Sequence, residues 1–322
     1  MQRNRPVIST IDRDVWCNST YAIAIFALGF ESRSTCFVED LKEVCAHSVA
    51  YGFDHGHDKA YDSNHQRFLE AGVCVRESLS DGDFELALND TLALVPVDAC
   101  RIFIDISCFT RFRLAAIVHA MFNAAMSRTS DLIVDFVYAL AKFEKPSSET
   151  RPNIIVGPAH YAFAGWSQGG HSSTAAVLGL GYEQDQAMGV VEYLQAGEVW
   201  AFTPNSPVSE YRPEVRKAND LLLSEIAPNH VIEYDVCSPA SVIATLESVV
   251  RGLGDDQSVV LVPFGPKIFV LCSLILGAIR QDVAVWRVSQ GSRIEPHDRV
   301  PSDVRAGVRL KFGAAKHTVF AP

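Results

Sequence analysis

A chain of 322 residues with 48% hydrophobic and 20% charged residues has the balance of a globular protein with a sizeable core, in one large or two medium domains. Its net charge of −10 argues against general binding to nucleic acid, which needs clustered Lys and Arg, but leaves room for one basic cleft.

Taken in order, Ala22–Leu28 is a continuous apolar run, as expected of a strand buried on both faces. Ser34–Ala46 has helical spacing through Phe37, Val38, Leu41 and Val44. Ser48–Phe53 reads as a strand, Asn64–Ala71 as a helix, Val73–Glu77 as a strand and Phe84–Leu94 as a helix with an acidic start. Arg101–Ile106 is a buried strand, Arg113–Met126 an apolar helix and Leu132–Leu140 a strand.

A second series follows. Strands are expected at Ala175–Leu180, Glu198–Thr203, Val231–Val236, Ser258–Pro263 and Val283–Val288. Helices are expected at Gln186–Gln195, Pro213–Ile226, Pro239–Gly252 and Pro266–Ile279. Glu144–Ser173 reads as a Pro/Gly/Ser-rich linker, with a hairpin over Asn153–Trp166, and a late strand is expected at Val308–Phe312. Strand–helix alternation predicts an α/β fold of two tandem Rossmann-like halves with mainly parallel sheets. The expected bounds are 1–143 and 174–290, with the linker at 144–173 and an extension at 291–322.

The halves also echo each other in detail. YAIAIFALGFE at Tyr21–Glu31 and TAAVLGLGYE at Thr174–Glu183 each end in Gly, an aromatic residue and Glu, 152 positions apart. That suggests an internal duplication.

In open parallel sheets, ligands bind beyond the carboxyl ends of the strands. After the first strands this selects Gly29, Glu31, Ser32 and Arg33, and Gly181 and Glu183. Glycine permits a tight turn, hydroxyls and amides at a helix start attract phosphate, and Arg33 adds a charged fork. Glu31 and Glu183 would take hydroxyl donors. After the fourth strands the same rule selects Asp105, Ser107, Thr110 and Arg111, and Gly265 and Lys267. A carboxylate at the end of a buried strand is costly unless bound or paired, so Asp105 either serves a ligand or fastens the loop to Arg111 or Arg113.

Asp54–Asp58 (DHGHD) is similar to the H-x-H-x-D-H run of metallo-β-lactamase-like hydrolases, but Lys59 stands where an Asp is required. It reads as a solvated loop, and no metal site is assigned. His160, Tyr161, Trp166, His171 and Ser172 in the linker fit a lid or a cover for a sheet edge. No P-loop, nucleophile elbow or complete dinucleotide fingerprint occurs.

The eight cysteines contain no C-x-x-C pair and lie mostly in apolar stretches, which fits a reducing cytosol. The first residues lack the apolar core of a signal peptide, and Ile268–Ile279 is too short to span a bilayer. A cytoplasmic protein is expected, with no general nucleic-acid or membrane binding.

The leading expectation is a binder of a nucleotide or similar phosphorylated small molecule, acting as a sensor or regulatory subunit. The alternatives are a nucleotide-directed hydrolase using Glu31 and Asp105 as its catalytic pair, and an interaction subunit of a bacterial multi-protein system, defence included. No cofactor is identified, and a protein partner or self-association stays open.

Overall fold

The computed structural model describes residues 5–98, 100–145, 154–165, 173–254, 256–289 and 297–314. Six strands come first: β1 (Val7–Ile11), β2 (Ile23–Leu28), β3 (Ser48–Phe53), β4 (Cys74–Leu79), β5 (Cys100–Asp105) and β6 (Leu132–Ala141). Then come β7 (Ile155–Pro158), β8 (Ser173–Gly179), β9 (Glu198–Asn205), β10 (Val231–Asp235), β11 (Gln257–Pro263), β12 (Ala284–Ser289) and β13 (Pro301–Phe312).

The protein is α/β, with two mostly parallel sheets ordered β1-β13-β6-β5-β2-β3-β4 and β10-β9-β8-β11-β12-β7. Within each, five parallel strands take the same order, third–second–first–fourth–fifth along the chain. Each fifth strand also carries an antiparallel neighbour, β13 on β6 and β7 on β12. The first and fourth strands are central and their apolar runs are buried, as β2 is along its whole length.

The two sheets share one hydrophobic core. Helices Arg111–Met126 and Lys267–Ile279 pack on each other, and residues such as Ile104, Ile117, Leu274 and Leu261 belong to one continuous cluster. Every residue from Ile268 to Ala278 is buried, and each large apolar side chain so placed is worth about 1.5–3 kcal/mol. Among the described residues no helix is long and apolar enough to cross a membrane.

Several elements differ from the sequence reading. The helix expected over Ser34–Ala46 is a 3-10 turn, Ser32–Thr35, and a short helix, Val38–Leu41. Ser34 turns its hydroxyl back to the Ala27 carbonyl and accepts from the Gly29 amide, a local bond that competes with helix. The helix expected over Pro213–Ile226 divides at Asn219 into Tyr211–Ala218 and Asp220–Glu225.

No hairpin forms in the described part of the linker. β7 pairs with β12 and covers that sheet edge, and a 3-10 turn, Tyr161–Phe163, follows. His160 is buried there against Glu85 at 3.1 Å, tying the segment to the first half. Asn153, Trp166, His171 and Ser172 lie outside the described residues. β1, helix Arg13–Cys17 and the full length of β13 were not expected; β13 returns the chain to the first sheet.

Candidate functional site

Each half holds its first loop by the same device. Asn64 donates its side-chain amide to the Gly29 carbonyl at 2.8 Å, and Asn219 does so to the Gly181 carbonyl at 2.7 Å. Both asparagines are buried and both follow the second parallel strand of their half. A buried amide is retained where it satisfies backbone that has no ladder partner.

In the second half the loops after the first and fourth strands nearly touch. A Cβ on Gly181 would meet the Gly265 amide nitrogen at 2.6 Å, and one on Gly265, whose φ is +63°, would meet the Leu180 carbonyl oxygen at 2.4 Å. The first half is roomier, since a Cβ on Gly29 would meet nothing nearer than Cys108 Cβ at 3.6 Å.

The carboxyl ends of both sheets open into one cavity of about 580 Å3, in the usual range for small-molecule sites. Gly29, Glu31, Arg33, Thr110, Arg111, Gly181, Glu183, Gly265 and Lys267 all line it, so the strand-end rule brings residues of both halves to one place. Ser32, Asp105 and Ser107 do not line it, and each is used within the protein. Ser32 gives its amide to Asp298 at 2.6 Å and its hydroxyl to the same carboxylate, which takes the position expected of a ligand anion. Asp105 is buried and accepts the Ser107 amide at 2.8 Å, closing its own loop rather than pairing with Arg111 or Arg113. Burial pushes its pKa up to about 6, against the Ser107 hydrogen bonds and the Arg33 and Lys267 charges. The Ser107 hydroxyl accepts from the Ala139 amide at 2.9 Å and its carbonyl accepts from Lys267 Nζ at 2.6 Å. Thr110 caps the helix at Arg113, whose guanidinium turns away to Asp81 and the Gly52 and Leu79 carbonyls.

One end of the cavity is internally paired. Arg33 Nε donates to Glu31 Oε2 at 2.5 Å and Arg33 also donates to the Ala139 carbonyl at 3.0 Å. Burial works against the Arg33 charge, but Tyr138, Glu31 and Cys108 outweigh it and raise the pKa. The Cys108 thiol lies 3.8 Å from Glu31 Oε2, and burial holds it far above the ordinary thiol range. Lys267 enters from the second half; burial lowers its pKa and Glu31 opposes that most.

The other end mirrors this arrangement without the pairing. Arg111 and Lys267 are each the first residue of the helix after a fourth strand. Burial lowers the Arg111 pKa, opposed by Glu183 of the other half. Arg111 Nε, Arg287 Nε and Glu183 Oε2 are all buried without a hydrogen-bond partner among the described residues. Each such atom costs about 1–3 kcal/mol.

Sequence reasoning missed Arg287 and Arg299, the lining tyrosines Tyr138 and Tyr211, and the two asparagines, and marked Tyr182 only as the aromatic of its turn. Tyr182 and Tyr211 stack at 5.8 Å, and Arg299 lies 5.9 Å over the Tyr182 ring. Applying the strand-end rule to the fifth strands, β6 and β12, would have found Tyr138 and Arg287. With them the described lining holds five cations, Arg33, Arg111, Lys267, Arg287 and Arg299, against two carboxylates, Glu31 and Glu183.

His55 also lines the cavity, but its ring bonds Asp54 at 2.6 Å, while His57 meets the Phe53 carbonyl at 2.9 Å. No group of three or more His, Cys, Asp or Glu suited to a metal ion occurs among the described residues.

No protein-family model matches the chain, and no curated protein matches it.

Proposed function

We propose that the protein binds a nucleotide or a similarly phosphorylated small molecule in this cleft and acts as a sensor or regulatory subunit. The observation that carries the reading is the convergence of five cations from both halves on one cavity, in a chain whose net charge is −10. Cations gathered on low-dielectric walls concentrate anions. The lining tyrosines offer faces for a base, and Glu183 offers an acceptor for a hydroxyl or amino group. A ligand touching both walls would favour one placement of the halves over others, and such a differential affinity is what a sensor requires. The matching strand order and the paired asparagines support the view that the halves arose by duplication.

A cleavage reaction shared by Glu31 and Asp105 needs both carboxylates at one substrate. Glu31 faces the cavity bonded to Arg33 and Asp105 does not face it, so binding is the reading kept.

The test is a thermal-shift screen against nucleotides, dinucleotides, cyclic nucleotides and sugar phosphates. A ligand at about a hundred times its Kd should stabilise the fold by roughly 2.7 kcal/mol. The Arg111→Ala variant should stay folded and lose the shift. Full binding by that variant would remove the reading.

A further inference from the structure

Resting on that reading, we propose that Arg111, Arg287 and Glu183 form the ligand's anchoring subsite, and that it takes a sugar phosphate rather than a bare anion. The argument begins with three unsatisfied atoms. Arg111 Nε and Arg287 Nε are buried donors without an acceptor, and Glu183 Oε2 is a buried acceptor without a donor, among the described residues. All three residues line the same cavity. Buried polar atoms in folded proteins are almost always paired, so three orphans in one wall call for a molecule that supplies the missing partners.

The orphans specify that molecule. Two guanidinium nitrogens ask for an anionic acceptor, and phosphate suits the planar fork of arginine. The glutamate asks for a hydroxyl or amino donor and repels a plain anion. A phosphate beside a hydroxyl-bearing sugar supplies both, as the phosphate–ribose unit of a nucleotide does.

The rest of the subsite is built to hold these groups. Arg287 lies 5.4 Å over the Phe112 ring, next in sequence to Arg111. Glu183 Oε2 folds over Gly181, where an added Cβ would stand 2.0 Å from it. Among the described residues the opposite end shows no such orphans: Glu31 is bonded to Arg33 and Lys267 to the Ser107 carbonyl. That end braces the cavity, and the open end does the recognising.

The experiment compares ribose 5-phosphate with inorganic phosphate by titration calorimetry, on wild type, Arg287→Gln and Glu183→Gln, with AMP as the nucleotide control. Wild type should bind ribose 5-phosphate more tightly than phosphate. Arg287→Gln should weaken both by roughly 10- to 100-fold, the value of a charge-assisted hydrogen bond. Glu183→Gln should act with opposite signs, weakening ribose 5-phosphate and strengthening phosphate, because it replaces a charged hydroxyl acceptor by a weaker neutral one and removes an anion repeller. A mere loss of folding cannot produce that crossing. Undiminished AMP and ribose 5-phosphate binding in both variants would overturn the subsite and leave the nucleotide reading standing. Wild type that binds nucleotides but never a sugar phosphate would overturn only the subsite. A folded wild type that binds no phosphorylated compound would overturn both.

Discussion

The two ends of the cleft are built alike and charged differently. In each, a buried asparagine holds the carbonyl of a glycine after the first strand, and a glutamate follows two residues later. Glu31 closes on Arg33, whereas Glu183 has aspartate, Asp185, at the corresponding place and keeps an unpaired oxygen. A difference at matching positions, Arg33 against Asp185, thus separates a self-satisfied wall from one with an unpaired oxygen.

The largest expected contrast lies in the glycines. Gly265→Ala forces a side chain into a left-handed position and against the Leu180 carbonyl, so it should cost about 3 kcal/mol or more in chemical denaturation. Gly29→Ala meets only ordinary contacts and should change stability by less than about 1 kcal/mol. Equal costs would show that the second half's loops are not the tighter pair.

Acid tells the halves apart next. Asp105, in the first half, has its pKa raised to about 6 by burial, from the ordinary aspartate value of 3.8. The folded state therefore holds this proton more tightly than the unfolded chain. Asp105 destabilises the fold above pH 6, and that penalty disappears as the pH falls toward 4. Between pH 7 and 4 the wild type should gain up to about 3 kcal/mol relative to Asp105→Asn. A pH-independent difference between the two would contradict the raised pKa.

Glu31→Gln removes the carboxylate that a buried arginine donates to and should cost about 1–3 kcal/mol, read from the denaturation midpoint. Glu183→Gln breaks no hydrogen bond of Oε2 and removes only the charge that offsets the burial of Arg111, so it should cost less than Glu31→Gln. Reversal of that order would mean that the paired end is the second one.

Buried strands made most of the fold legible in the sequence. Runs such as Ile23–Leu28 and Gln257–Pro263 are apolar because helices cover both faces, and the order of elements followed from them. The antiparallel strands β1, β7 and the first part of β13 were not legible for the converse reason. Val7–Ile11 is half polar, Ile155–Pro158 contains Gly and Pro, and Pro301–Phe312 carries charged residues where it borders solvent. The cavity-lining glycines, glutamates and helix-start cations were legible because strand ends are fixed by local pattern. Arg287 and Arg299 were not, because their place depends on how the second half and the returning β13 segment meet the first. Asp105 and Ser107 stood in the right loop but face inward, which strand periodicity alone did not decide.

The central claim is that both halves serve one site. Titration calorimetry with the best nucleotide from the thermal-shift screen tests this most directly. The account predicts one ligand per chain, with binding lost in both Arg111→Ala and Arg287→Ala, one cation from each half. Two ligands per chain, or loss in only one of the two variants, would contradict it.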